Sequence, residues 1–395
     1  DYSTYVWTKY GKGGKPVTEQ APIGQTEDAP FKHRYDGGSH IITGVSFASG
    51  EDGHAVGLFG FTTGTLENIV VTTVKPLENA PTSKLGGNVQ WKTVYTGVLA
   101  GKNSGTIKNC AVSGYRLSGS AYSGSTYYLG GLVGCNEGLI QACSADIPSI
   151  TGTSTYAQSY CAGGLVGMLE GIMEDCYNLA TVKVSKTTVG GLVGVADNIS
   201  RYTDKVGVFN SYHAGSVQYG AEEAEPVAGH LIGMMRGSGD NEKALGSLYY
   251  QQVGILPAIG NYDAGDHAAA MSLTAMQAQE FVDELNGYTN KSLYGVTWKQ
   301  GDSESQNLPV CGSFETLKDY ACDLTGLTIN GSAALLDKNG DYYFVLPYGT
   351  DLTKVTVATT VSPRATVTPA DGVMNFANGP VNFVVTAEDG THSKT

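Results

Sequence analysis

The stretch Gly130-Gly131-Leu132-Val133-Gly134 recurs along the chain at 163–167 and 190–194, and in a looser form at Gly229-His230-Leu231-Ile232-Gly233. Two earlier and shorter copies are Gly57-Leu58-Phe59-Gly60 and Gly97-Val98-Leu99-Ala100-Gly101. The last glycine of each copy falls at positions 60, 101, 134, 167, 194 and 233. Repeats of 20 to 50 residues are typical of stacked arrays, in which one supersecondary unit is repeated along an axis.

Three columns of residues keep the period of the phrase. Leu132, Leu165 and Leu192 alternate with glycine, as expected of a short strand with one buried face. Two more apolar columns have members 33 residues apart: Ile107, Ile140 and Met173, then Cys110, Cys143 and Cys176. A glycine lies four residues after each anchor, at 64, 105, 138 and 171, and we predict a turn with positive φ there.

The repeat predicts an all-β fold, a right-handed parallel β-helix. A unit of three short strands separated by glycine corners buries no apolar face alone, so successive units must stack, with rungs about 4.8 Å apart. The competing fold is an antiparallel meander, which does not explain why leucines and cysteines keep one common spacing. We expect the cysteines to form an unoxidised ladder in the core, because buried cysteine packs as a small apolar residue.

Composition excludes several classes of function. Among 395 residues there are 54 glycines and a net charge of −13, and no cluster of Lys and Arg suits a nucleic acid or an anionic membrane. No apolar run is long enough to span a membrane. The chain opens with Asp1 rather than Met, so we expect an exported, mature product whose signal and anchoring segment are missing. Seven cysteines without a Cys-x-x-Cys predict neither a disulfide framework nor a metal site.

The repeated phrase Gly-Gly-Leu-Val-Gly-x-x-x-Gly-x-Ile-x-x-Cys resembles the GLUG motif of bacterial cell-surface proteins. The segments Pro22-Ile23-Gly24 and 31–44 resemble the entry coil of such arrays, and Leu248-Tyr249-Tyr250 and Asn307-Leu308-Pro309-Val310 resemble the exit. The resemblance covers roughly residues 20 to 312. It implies the β-helix architecture and a place at the cell surface or outer membrane, but it names no ligand.

Two domains are predicted, a β-helix at 1–318 and a small β-sandwich at 319–395. One amphipathic helix, 272–286, has Ser272 as its N-cap and Gly287 after its end, and we expect it to plug the C-terminal end of the β-helix. After residue 324, short strands broken by Gly, Pro and Asp are typical of a sandwich. They are similar to the bacterial immunoglobulin-like modules of secreted and lipid-anchored proteins, with the last strand expected to be short or missing.

Tyrosines supply the one candidate ligand site. Tyr127 and Tyr160 lie three residues before the glycine pair in equivalent units, with Tyr122 and Tyr156 nearby. Alternation counted back from the inward Leu132 and Leu165 places Tyr127 and Tyr160 on the outer surface. An exposed aromatic ladder suits sugar rings or a protein partner, so these four tyrosines are our candidate ligand-binding residues. The alternative interpretation is cross-strand stacking that only stabilises the coil.

The other residue clusters in the sequence indicate no catalytic, calcium-binding or cofactor-binding site. Glu67, Lys108, Gln141 and Glu174 are expected to share one outward column, which lacks the paired acids of a glycosidase. The segment Asp337-Lys338-Asn339-Gly340-Asp341 is better explained as a hairpin turn than as a calcium loop. No nucleophile elbow, phosphate loop or dinucleotide fingerprint is present, so we predict no catalytic residue and no cofactor. Cys311 and Cys322, near the boundary, could form a clasp in an oxidising compartment.

The leading hypothesis is a non-catalytic, adhesin-like surface protein that binds a glycan or an extracellular protein along the β-helix. The first alternative is a carbohydrate-active enzyme, a polysaccharide lyase or hydrolase, because similar solenoids carry both. The second alternative is a structural spacer. Clustered acids in a groove would favour the enzyme, and a tyrosine-rich face would favour binding.

Overall fold

A computed structural model describes the following residues: 9–10, 16–17, 22–43, 55–72, 82–85, 93–121, 126–154, 159–184, 188–197, 207–219, 227–236, 241–288, 294–303, 305–316, 322–337, 341–362, 365–387 and 393–395. The chain divides into two compact units, Asp1–Glu315 and Thr316–Thr395. The predicted domain boundary after residue 318 falls close to this division.

The first unit is built from four parallel sheets. Sheet 1 comprises Ala55–Val56, Thr93–Thr96, Thr126–Gly130, Ser159–Gly163, Thr188–Gly190 and Ala228–Gly229. Sheet 2 comprises Phe59–Thr62, Ala100–Asn103, Val133–Asn136, Val166–Leu169, Val193–Asp197 and Ile232–Arg236.

Sheets 3 and 4 complete each rung. Sheet 3 comprises Arg34–Asp36, Ile41–Thr43, Thr65–Glu67, Val70–Thr72, Thr106–Lys108, Ala111–Ser113, Leu139–Gln141, Ser144–Asp146, Ile172–Glu174, Tyr177–Asn178, Gly207–His213, Leu245–Gln251 and Ala268–Met271. Sheet 4 comprises Thr82–Leu85, Arg116–Ala121, Ser149–Ser154, Val182–Val184 and Val217–Tyr219. Two strand pairs lie outside these sheets, Lys9–Tyr10 with Pro16–Val17 and Tyr294–Lys299 with Val310–Thr316.

Strand register shows that the repeat units stack as predicted for a β-helix. Ile107 pairs with Ile140 and Ile140 with Met173, and all three are fully buried. The amide of Leu132 donates to the carbonyl of Leu165 at 2.9 Å, so the leucine column is also continuous. The parallel solenoid is therefore confirmed, and its right-handed winding stays a prediction.

The cysteine ladder is present. Cys110, Cys143 and Cys176 are 2%, 0% and 0% exposed, and the Cys110 amide donates to Cys143 Sγ at 3.4 Å. Burial raises the pKa of the Cys143 thiol well above its usual range. None of the seven cysteines forms a disulfide, so the possible clasp between Cys311 and Cys322 is not formed in this structure.

The glycines four residues after each anchor have a different role from the one predicted. Positive φ falls instead on the non-glycine residues Asn68, Asn109, Ala142, Asp175, Asn210 and Ser247. A Cβ on Gly138 would lie 2.0 Å from the carbonyl oxygen of Gly105. Close approach between rungs, not left-handed backbone, therefore requires these glycines.

The predicted helix is divided and lies elsewhere than expected. It forms α1, Leu273–Met276, and α2, Gln279–Gly287, with Ser272 capping α1 as predicted. Single turns of 3-10 helix occur at Asn241–Ala244 and Gly265–His267. Phe281 of α2 packs against Tyr212 and Tyr249, which belong to adjacent rungs of sheet 3. The helix pair thus covers the flank of several rungs, and the plug prediction is wrong.

Other segments cover the ends of the solenoid core. Ile23 and Phe31 pack on the core at the first rung. At the last rung, Ile259 is buried and bridges to Ile232. Apolar loop residues can cover these ends because their backbone groups form hydrogen bonds with the terminal strands.

The second unit is wholly antiparallel in its described strand pairs. Its strands are Leu324–Ile329, Ser332–Ala333, Leu335–Leu336, Tyr342–Tyr343, Val355–Val361, Thr366–Thr368, Gly372–Met374, Val384–Thr386 and Ser393–Lys394. They form sheets of four, two and three strands with two small apolar clusters, one that includes Val355 and Val357 and one that includes Val385 and Ala387. The immunoglobulin-like assignment stays a prediction.

Candidate ligand-binding site

The predicted tyrosine ladder does not lie on the surface where the structure describes it. Tyr127 is 4% exposed and belongs to the solenoid core, so its outward placement is wrong. Tyr160 pairs with Tyr127 in backbone register. The Tyr160 side chain, Tyr122 and Tyr156 lie outside the described residues.

The physical reason is a bend in the chain between sheets 1 and 2. Leu129, Leu132 and Val133 are all buried, so inward-facing positions do not alternate strictly across the glycine pair. Counting from Leu129, on the same strand, places Tyr127 inside and its neighbour Tyr128 outside.

The outward tyrosines are Tyr95 and Tyr128, one residue along from the predicted column. They pair in register on adjacent rungs, and their rings stack with centroids 5.8 Å apart and planes 15° apart. Both side chains are half-buried. The stack therefore presents two phenol groups in parallel at neighbouring levels of the solenoid.

Outward side chains of sheet 2 meet this stack. Lys102 Nζ lies 5.6 Å from the centre of the Tyr95 ring, and the Phe61 ring is 6.4 Å from that ring. Cys135 is in register with Lys102 one rung further along. We call Phe61, Tyr95, Lys102, Tyr128 and Cys135 the tyrosine seam.

A row of charged side chains runs beside the seam. Lys102 Nζ contacts Glu27 Oε1 at 2.6 Å and Glu137 Oε1 at 2.8 Å. Further along the axis, an Arg236 nitrogen lies 3.9 Å from an Asp197 carboxylate oxygen. Between these two ion pairs lies Glu170, one repeat after Glu137. We call Glu27, Lys102, Glu137, Glu170, Asp197 and Arg236 the charged row.

Burial and neighbouring charges shift the ionisation of these groups. Burial raises the pKa of Tyr95 to about 12 and also raises that of Tyr128. Burial, then the negative charges of Glu137 and Asp197, raise the pKa of Glu170. Burial disfavours charged Lys102, but its hydrogen bonds to Glu137 and Glu27 outweigh this effect and raise its pKa.

The seam and the charged row together offer what a polyhydroxylated ligand needs. Phenol hydroxyls that stay protonated both donate and accept hydrogen bonds, and carboxylates accept bonds from neutral hydroxyls. Aromatic surface beside them can pack against the apolar face of a sugar ring. Donor atoms of Cys135, Glu137 and Glu170 lie within 4.8 Å of one another, the one such trio within the described ranges.

The predicted column of Glu67, Lys108, Gln141 and Glu174 is in register but is not a surface. Glu67 is 2% exposed, and Gln141 and Glu174 are fully buried. Lys108 forms an ion pair with Glu67 at 2.7 Å, and Gln141 donates to Glu174 at 3.0 Å. These polar groups are paired with one another and with Arg34 and Asp175 on the flank of sheet 3.

Sequence reasoning missed both the seam and the charged row, although each left a signal. Tyr95 and Tyr128 are 33 residues apart and each lies two residues before a glycine of the phrase. Glu137 and Glu170 have the same spacing. Residues that keep the period of a solenoid must stack, whichever way they face.

Residues 324–395, all in the second unit, match the family model described as SGBP, N-terminal. This is a family of glycan-binding surface proteins. No curated protein and no solved structure matches the chain. Among the described helices, none has the length and apolar character needed to cross a bilayer. The GLUG resemblance of the solenoid stays a prediction.

Proposed function

We propose that this chain is a non-catalytic, adhesin-like protein of the extracellular surface that binds a glycan along the tyrosine seam. The observation that carries the proposal is the stacked Tyr95–Tyr128 pair, flanked by the charged row on the same rungs. The surface glycan-binding family matched by the second unit supports the same class of ligand.

The repeat of the solenoid suits a linear polymer. Rungs follow one another at about 4.8 Å, which is comparable with the length of one sugar residue. A glycan lying along the axis would therefore meet Tyr95, then Tyr128 with Glu137 on the same rung, and then Glu170 one rung further along. Each sugar would find similar hydrogen-bonding groups, so affinity would rise with chain length until the seam is filled.

A glycan explains the site better than a protein ligand does. Lys102 is already held by two carboxylates, and the apolar seam residues Phe61 and Cys135 are only 3% and 2% exposed, so they offer no anchor for a protein interface. Protein interfaces take most of their affinity from buried aromatic and arginine anchors at a central patch. The half-exposed polar groups of the seam fit hydroxyl recognition instead.

The test is a screen of the full chain against neutral, acidic and amino-sugar polysaccharides by affinity electrophoresis, followed by calorimetry. We expect saturable binding to at least one polysaccharide, tighter for longer oligosaccharides of the same sugar, with no new reducing ends after prolonged incubation. Absence of binding to every class would contradict the proposal and favour the spacer.

One observation favours the enzyme as a second candidate. Carboxylate oxygens of Glu137 and Glu170 lie within 4.8 Å of each other, and retaining glycosidases use a pair of neighbouring acids, separated by about 5 Å. Release of reducing ends by the native chain, abolished in Glu170→Gln, would establish that activity. Binding that persists in Glu170→Gln without any product would support the non-catalytic proposal.

A further inference from the structure

We propose that Cys135, Glu137 and Glu170 form a binding site for a divalent transition-metal ion, Zn²⁺ in the first instance. The sulfur of Cys135 and one carboxylate oxygen from each glutamate all lie within 4.8 Å of one another. One sulfur and two oxygens from three protein residues form a donor set that zinc accepts.

Strand geometry explains why the three groups converge. Cys135 and Glu137 are two residues apart at the end of one strand of sheet 2, so both point outward. Glu170 occupies the equivalent position to Glu137 one rung further along, because Asn136 pairs with Leu169. The site thus joins two consecutive rungs.

The Cys135 thiol differs from the thiols of the core ladder. Cys110, Cys143 and Cys176 each donate to the carbonyl two residues earlier, at 3.2, 3.3 and 3.1 Å. Cys135 is 2% exposed, and within the described part of the chain its thiol makes no hydrogen bond. It is a buried, unpartnered donor that faces two carboxylates, which a plain apolar filler does not require.

The donor set selects the class of metal. Ca²⁺ binds six to eight oxygen atoms and Mg²⁺ binds an octahedron of oxygens, so neither suits a site with a sulfur. Thiolate together with carboxylate fits Zn²⁺ or Co²⁺, with metal–sulfur bonds of about 2.3 Å and metal–oxygen bonds of about 2.1 Å.

Groups around Glu137 leave room for this ion. Lys102 and Ser104 each contact one oxygen of Glu137, at 2.8 and 2.6 Å, and Glu170 also hydrogen-bonds to Glu137, a bond that the ion would replace. Lys102 also retains Glu27 as a partner. Three protein ligands leave a fourth position, open to water or to a ligand hydroxyl, at the border of the tyrosine seam.

Zinc titration of the full, metal-free chain by calorimetry tests the site, and Co²⁺ absorption reports whether sulfur is a ligand. We expect one Zn²⁺ per chain, at least tenfold weaker binding in Glu170→Gln, and a sulfur-to-cobalt charge-transfer band that Cys135→Ser removes. Cys161→Ser, another buried cysteine on an outward column, and Glu280→Gln, on the exposed face of α2, are the matched controls.

Failure of the native chain to bind Zn²⁺ would overturn the proposal. So would Zn²⁺ binding that stays unchanged in both Cys135→Ser and Glu170→Gln. Because Glu170 is partly exposed, the Glu170→Gln variant keeps the test valid even where the cysteine variant does not fold. The zinc titration and the cobalt spectrum are both measured without a glycan. A negative result would therefore disprove the metal site and leave the proposed glycan binding unaffected.

Discussion

At the scale of single residues, one glycine per rung sets how closely the rungs of sheet 3 stack. The column at 64, 105, 138 and 171 leaves no room for a methyl group, because a Cβ on each would lie 2.0 to 2.1 Å from a backbone oxygen. The neighbours are main-chain atoms, which cannot rotate away. The cost of any side chain there must be met by shifting a whole strand.

Gly138→Ala should therefore destabilise the solenoid by about 3 kcal/mol or more, the upper range for overpacking in a rigid core. Urea denaturation followed by circular dichroism measures the change. Gly287→Ala is the control, because a Cβ at Gly287 meets nothing within 4 Å and alanine favours the last turn of α2. Equal stability of both variants would show that the rungs are not packed at this spacing.

At the scale of elements, buried polar residues replace apolar ones where sheets 1 and 2 join sheet 3. His213 lies in register between Asn178 and Tyr250 and is fully buried. Its Nε2 contacts the Ala180 carbonyl at 3.2 Å, and its Nδ1 has no partner within the described ranges. Next to it, buried His230 stacks on Tyr250. These rungs hold two imidazoles that must stay neutral.

Stability should fall as pH drops from 6.5 towards 4. Burial lowers the pKa of His213 to about 4, whereas an unfolded histidine titrates near 6.5, so the unfolded chain binds more protons in this window. Neutral His213 therefore stabilises the folded chain above pH 6.5, and about 3 kcal/mol of the free energy of unfolding is lost as the pH falls to about 4.

Thermal unfolding between pH 4 and 8 measures this dependence. His213→Asn, which places the Asn178 side chain one rung further along, should flatten the profile between pH 4 and 6.5. A profile equally steep in the variant would assign the acid sensitivity to other groups.

The flank position of α2 leads to a third prediction. Phe281 is 1% exposed and packs on Tyr212 and Tyr249, so Phe281→Ala should cost about 3 kcal/mol and loosen the rungs beneath it. Hydrogen exchange should rise within 207–213 and 245–251 and stay unchanged within 106–113. Faster exchange confined to 256–271 would instead support a plug at the end of the core.

At the scale of the whole molecule, the sequence period predicted which residues lie above one another in successive rungs. It did not predict which way a side chain faces where the chain bends between two sheets. Spacing alone predicts the solenoid, its buried columns and the cysteine ladder, because equivalent residues in parallel rungs must lie above one another. The direction of Tyr127 did not follow, since a corner between two sheets breaks strict alternation. The flank position of α2 depends on contacts with Tyr212 and Tyr249, which no local pattern encodes.

The family match lies in the second unit, whereas the tyrosine seam lies in the first, so either unit could supply the ligand contacts. The second unit exposes Tyr343 and Tyr348. The two sources can be separated by substituting Tyr128 or Tyr348 in the full chain, because neither side chain belongs to a hydrophobic core.

The most direct measurement is calorimetric titration of a polysaccharide that the native chain binds into the Tyr128→Ala variant. The comparison variants are Tyr219→Ala, on sheet 4, and Tyr348→Ala, in the second unit. In proteins that bind single-stranded nucleic acids, removal of an aromatic side chain on which a base stacks costs about 1 to 3 kcal/mol, and we expect a cost of the same order for a sugar ring packed on Tyr128. We predict at least a tenfold loss of affinity for Tyr128→Ala, with the other two variants unchanged. Full affinity in Tyr128→Ala, or loss confined to Tyr348→Ala, would contradict a ligand site on the solenoid.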